Sequence, residues 1–209
     1  MPPGAIPNLQ LTGLPMLRIV NYLKGTHPMP RSIVINNYYG YSRGLSAFEH
    51  EVSVRDSEEE EEASRFLMLR VVYDEVLEVL SSIPPEACGV FLGPQSHGSL
   101  ITHFIHDETG IPSPTMFRID GERLTKAIHP YVTAGLDVKG IAHSHPSGIY
   151  RPSNGDLRYL RKLFGNRKNA DAPELDFYFP IISDGQVFHY AFDRSAGRDR
   201  LKPAKVVLI

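Results

Sequence analysis

Apolar positions fall in short blocks, and the spacing inside each block predicts its element. Residues 65–69, apolar after Arg65, have the length and pattern of a strand. Val72, Val76, Val79 and Leu80 recur at helical intervals, so a helix is predicted over 71–82, ended by Pro84 and Pro85. Residues 88–92 are a continuous apolar run closed by Gly93 and Pro94, the pattern of a buried strand. Residues 100–105 alternate and predict its hairpin partner. A second helix is predicted over 123–132, with Gly135 able to end it. Residues 138–142 read as another buried strand, and Leu157, Leu160, Leu163 and Phe164 mark a third helix. Residues 177–182 and 187–192 flank Ser183-Asp184-Gly185-Gln186, which predicts a hairpin. A last short strand is predicted over 206–209. The sum is a mixed α+β domain over residues 63–209.

The first 62 residues have a different texture. Pro and Gly are scattered through them, Tyr38, Tyr39 and Tyr41 cluster, and only residues 33–35 and 52–54 resemble strands. Five consecutive glutamates, Glu58 to Glu62, then repel one another and favour a solvated boundary. Residues 1–62 are therefore expected to be an N-terminal extension, either a loose arm or an element that docks a partner.

Composition changes this picture little. With 209 residues, 42% hydrophobic and 22% charged, the chain fits a globular protein with a useful core. A net charge of −2 gives no global electrostatic case for nucleic acid or an anionic membrane, and neither is expected as a partner. No run of about 18 apolar residues predicts a membrane span, and the N-terminus does not read as a signal peptide. The single cysteine, Cys88, excludes an internal disulfide. A reducing, cytoplasmic location is the expectation.

The chemistry concentrates at the end of the strand over 138–142. His143 and His145 leave it together, and residues i and i+2 of a strand point to one side. Two imidazoles can then meet at one point. Asp156 follows after a loop containing Gly148, Pro152 and Gly155, in the first turn of the third helix, with Ser153 as N-cap. Two histidines and a carboxylate give the three protein ligands of a catalytic zinc site, with one position left for water. Hydrolysis also needs a base, and Glu86, at the mouth of the strand over 88–92, is the candidate.

Together these residues resemble the JAMM (JAB1/MPN+/Mov34) zinc metalloproteases. His143-Ser144-His145-Pro146, Ser153 and Asp156 match that family's H-x-H-x7-S-x2-D motif. Pro85-Glu86-x-Cys88-Gly89 and Gly93 are similar to the glutamate segment of its prokaryotic branch, and Phe117-Arg118-Ile119-Asp120 resembles a stretch between the two. The resemblance spans about residues 66–193. It implies a cytidine-deaminase-like JAB/MPN fold, a curved mixed sheet flanked by helices. It implies one Zn2+ per chain on His143, His145 and Asp156, with Glu86 as general acid/base acting on zinc-activated water and Ser153 stabilising the oxyanion. It implies cleavage after the C-terminal tail of a ubiquitin-like protein, in precursor processing or deconjugation. Activating and conjugating enzymes encoded nearby would be partners, and antiviral defence is one setting.

Two other readings keep the fold. His-Ser-His-Pro-Ser-Gly also resembles the RadC proteins, associated with DNA repair, but residues 1–62 show no helix pair of the kind those carry. A non-catalytic MPN scaffold would be expected to have lost motif residues, and here the set is complete. Cys88 is expected to be a small buried residue. His97, His103, His106, His129 and His189 are expected to be surface or satisfied residues.

Overall fold

The computed structural model describes residues 63–83, 86–108, 119, 121–166, 176–194 and 200–209. The short strands expected over 33–35 and 52–54, the tyrosine cluster, the glutamate run, Pro84, Pro85, Phe117, Arg118 and Asp120 lie outside those residues.

The elements follow the chain as β1 (Ser64–Met68), α1 (Arg70–Ser82), β2 (Cys88–Pro94), β3 (Leu100–Ile101), β4 (His103–His106), α2 (Gly121–Thr133), β5 (Leu136–Ser144), α3 (Asn154–Phe164), β6 (Phe177–Tyr178), β7 (Ile181–Ser183), β8 (Gln186–Phe188), β9 (Tyr190–Asp193) and β10 (Arg200–Leu208). Among the described residues the strands form one mixed sheet, in the order β3-β1-β10-β9-β6-β5-β2-β4, with β7 paired to β5 and to β8. The architecture is α+β, as expected.

The sheet is covered on both faces, which explains its near-continuous apolar strands. Along β2, Cys88, Val90 and Leu92 join a core with Leu124 and Ile128 of α2 and Tyr159, Leu160 and Leu163 of α3. Phe91 points the other way, into a core with Val72, Val76 and Leu80 of α1. Those three side chains sit four residues apart on one helix face, and each such burial contributes about 1.5–3 kcal/mol.

Several strands depart from the expected bounds, for physical reasons. The run over 100–105 divides at Thr102. β4 pairs antiparallel with β2 as expected, while β3 turns to pair parallel with β1. The run over 177–182 breaks before Pro180, which has no N–H for a ladder. Its two pieces pair with β9 and β8, so the expected hairpin exists in interrupted form. The last strand begins at Arg200, not 206. It pairs first antiparallel with β9 and then parallel with β1.

One irregularity aims the site. β2 and β5 pair antiparallel, but the register shifts between Phe91 and Leu92: Phe91 faces Gly140 and Leu92 faces Val138. Lys139 is the extra residue. An extra residue reverses the side-chain alternation beyond it. Val138 and Ile141, three apart, therefore share the face of α2 and α3. His143, two residues beyond Ile141, projects to that same face, its ring 4.8 Å from Phe179. Gly140 allows the crowding at this point, since a Cβ there would stand 2.2 Å from the Tyr178 carbonyl oxygen.

Candidate metal centre

β5 runs through His143 and Ser144, longer than the expected 138–142, and stays buried to its end. The two imidazoles leave together. Their Nε2 atoms stand 2.8 Å apart, with the rings edge to face. His143 is fully buried and His145 nearly so. The His145 amide donates to the Ile182 carbonyl (2.8 Å), so β7 fixes the backbone where the strand ends.

Asp156 arrives from α3. Ser153 caps that helix: its hydroxyl accepts from the Asp156 amide (3.2 Å), and Asp156 Oδ2 accepts from the Ser153 amide (2.6 Å). This capping box, worth about 1 kcal/mol, also fixes the carboxylate. Asp156 Oδ1 lies 3.2 Å from His143 Nε2 and Oδ2 lies 3.6 Å from His145 Nε2. The carboxylate therefore spans both imidazoles. It is 3% exposed, too buried for an ion without partners.

Glu86 approaches the same point from the start of β2. Its carboxylate and one nitrogen from each histidine lie within 4.8 Å of one another. Strand pairing places it there: the Ser144 amide donates to the Ala87 carbonyl (2.8 Å), and the Ala87 amide donates to the Ser144 hydroxyl (3.0 Å). Sequence reasoning overlooked Ser144. Its neighbours face the site, so by alternation it faces away, and what it reaches is the backbone beside Glu86. The alternation of H-x-H was the available signal.

The electrostatics follow from crowding in a dry place. Burial pushes the Glu86 carboxyl up to about 7, with Asp156 adding to the rise and His145 opposing it. Burial also raises Asp156, but the two imidazoles outweigh that and hold it well below the usual carboxylate range. Burial lowers His143 and wins over the pull of Asp156. For His145, burial is outweighed by Asp156, by Glu86 and by the Ile149 backbone, and the net direction is up.

The donor set suits a metal. A tetrahedral ion bound at about 2.0–2.1 Å requires its ligand atoms to stand roughly 3.3 Å apart. The separations of 2.8, 3.2 and 3.6 Å among His143, His145 and Asp156 bracket that value. Imidazole nitrogen and carboxylate oxygen are also ligands that zinc accepts. The two imidazoles thus lie close both to Asp156 and to Glu86, and Ser153 lies next to Asp156 through the capping box. Among the other described histidines, His97, His103 and His129 are exposed, His106 is half-buried, and His189 Nδ1 is 2.6 Å from the Tyr178 hydroxyl. Cys88 is buried in the core, as expected.

A two-sided mixed sheet carries a buried His-His-Asp cluster at the end of one strand, with a glutamate close to the two imidazoles. The family follows from comparison: residues 70–196, more than half of the chain, match the prokaryotic homologs of the JAB domain, and the chain belongs to that family. It is similar to a desampylase of Pyrococcus furiosus, 33% identical over 87 residues. That match covers 42% of this chain and spans 60% of the relative's length. Among solved structures, a Desulfitobacterium hafniense protein superposes with a TM-score of 0.52 at 20% identity, covering 69% of this chain and 92% of that one. A JAB1/MPN domain protein of Archaeoglobus fulgidus covers the same share of this chain and 98% of its own, at a TM-score of 0.38 and 20% identity. No described helix is long and apolar enough to cross a membrane.

Proposed function

We propose that the chain is a zinc-dependent peptidase that cleaves after the C-terminal tail of a ubiquitin-like protein. The observation that carries this reading is the convergence of the His143 and His145 Nε2 atoms on the two oxygens of Asp156, with Glu86 facing the same point. Similarity to a desampylase supports a deconjugating hydrolase. The JAB domain occupies residues 63–209 in this reading, with residues 1–62 as an N-terminal extension, either an arm or a partner-docking element.

His143, His145 and Asp156 would hold the ion. Zinc in such a position supplies a Lewis acid and lowers the pKa of water to about 7. Glu86 is the proton carrier. With a pKa of about 7 it exchanges a proton readily near neutrality, and a nearby cation draws that value down towards the base form. It takes the proton of the attacking water and delivers it to the leaving amine. The Ser153 hydroxyl already accepts from the Asp156 amide, so its own proton is left to donate to the carbonyl oxygen as negative charge develops. Its exposure leaves it open to a substrate.

The test is cleavage of a ubiquitin-like protein fused through its C-terminal tail to a second domain. The native chain is expected to cut after the tail, and Glu86→Gln to lose about 10²-fold or more of that rate while retaining zinc. Equal cleavage by Glu86→Gln contradicts the mechanism. Zinc binding without cleavage by the native chain points to a scaffold.

A further inference from the structure

The ten residues between His145 and Asp156 are moored to the β7–β8 hairpin and β9. The Ser183 hydroxyl donates to the Pro146 carbonyl (3.1 Å), and the Gly148 amide donates to Asp184 Oδ2 (3.0 Å). The Tyr190 hydroxyl donates to the Tyr150 carbonyl (3.2 Å), and the Tyr150 ring packs on Phe188 with centroids 4.8 Å apart. Ser147, the Gly148 amide and Tyr150 together hold the Asp184 carboxyl below its usual range.

That carboxylate is more than a turn residue. Asp184 (φ 50) and Gly185 (φ 69) are both left-handed, as the two central residues of a type I′ hairpin must be. Asn or Gly serves such a turn as well as Asp does. The turn alone does not need the charge; the loop does. Gly148, whose amide it receives, is itself left-handed (φ 81) and open to solvent on its Cβ side.

The loop so held displays two large apolar side chains in the segment that leads from His145. Ile149 is 48% exposed and Tyr150 43% exposed, four and five residues beyond His145. An exposed apolar pair in a fixed place beside a hydrolytic centre is suited to contact a polypeptide chain.

We propose that Asp184 is a positioning residue for the substrate. By holding residues 147–150 it fixes Ile149 and Tyr150 as the surface on which the substrate chain beside the scissile bond lies. This rests on the peptidase reading above. The attachment of the ion-holding side chains does not run through Asp184: His143 lies on β5, His145 directly after it with its amide on the Ile182 carbonyl, and Asp156 on the α3 cap.

Two substitutions separate the roles of Asp184. Asp184→Gly keeps the left-handed turn and removes the acceptor; Asp184→Asn keeps the turn and one acceptor oxygen. Hydrogen exchange at the Gly148 amide and steady-state cleavage of the ubiquitin-like fusion are measured on the full chain and both variants. In Asp184→Gly, Gly148 exchange is expected to accelerate about tenfold, with KM raised about fivefold and kcat within about twofold of native. Asp184→Asn is expected to restore most of both. Unchanged Gly148 exchange in Asp184→Gly overturns the proposal, and so does a fall in kcat at constant KM. A native chain that cleaves nothing contradicts the peptidase reading, and the substrate role with it, whatever Gly148 does.

Discussion

The Ser144 hydroxyl oxygen lies 3.0 Å from the Ala87 amide nitrogen, and through that contact the residue between the two histidines also holds the backbone next to Glu86. The two halves of the candidate centre come from residues 57 apart in sequence. Removing the hydroxyl leaves a buried amide without that acceptor. Ser144→Ala is expected to lower stability by about 1–3 kcal/mol in urea unfolding. It is also expected to reduce turnover more than zinc affinity, because Glu86 moves while the imidazoles stay. An unchanged unfolding midpoint would show that the contact carries little.

Asp156 has two duties, and one substitution divides them. Asp156→Asn keeps an oxygen for the Ser153 amide, so the helix cap survives. It loses the negative charge that faces both imidazoles. The variant is expected to fold with near-native helix content while zinc affinity falls more than about 100-fold, read by competition with a chelator. Native affinity in this variant excludes Asp156 as a ligand.

Cys88 offers a test of the core beside the site. Burial, helped by the carboxylates of Asp107 and Glu86, pushes its thiol far above the ordinary value. The thiolate is the reactive form. Iodoacetamide is therefore expected to label the folded chain at a rate set by unfolding, and to label one group per chain in denaturant, since the sequence holds one cysteine. Rapid labelling of the folded chain would mean that β2 opens locally.

His189 gives a pH dependence with a definite sign. Burial lowers its pKa in the folded state, so the unfolded chain binds a proton that the folded chain resists. Stability from this group is present above the unfolded pKa of about 6.5 and is lost as pH falls from there towards the folded value. The urea midpoint is expected to drop between pH 7.5 and 5.5, and to drop less in His189→Asn. An identical drop in the variant would remove His189 from the account.

Much of this was legible in the sequence where one periodicity rules a whole element. α1 and α3 announced themselves through Val72, Val76, Leu80 and Leu160, Leu163, and the Ser153–Asp156 cap marked where α3 begins. The H-x-H spacing was sufficient to bring two imidazoles together because strand alternation is local. What stayed hidden depends on partners distant in sequence. β10 reads as coil at Lys202, Pro203 and Lys205, yet it pairs with two different strands whose positions no local pattern declares. The extra residue at Lys139 decides which face His143 takes, and nothing in 138–142 marks it as a bulge. Ser144 and Asp184 act through hydroxyl and carboxylate contacts to backbone 36 or more residues away, which leave no trace in hydrophobic spacing.

Whether His143, His145 and Asp156 form one metal centre is decided by metal analysis of the purified full chain. One zinc per chain is expected in the native protein and in Glu86→Gln, and none in a His143→Ala/His145→Ala variant that retains native secondary structure. A native chain that arrives without metal and takes up none from added zinc contradicts the metal centre.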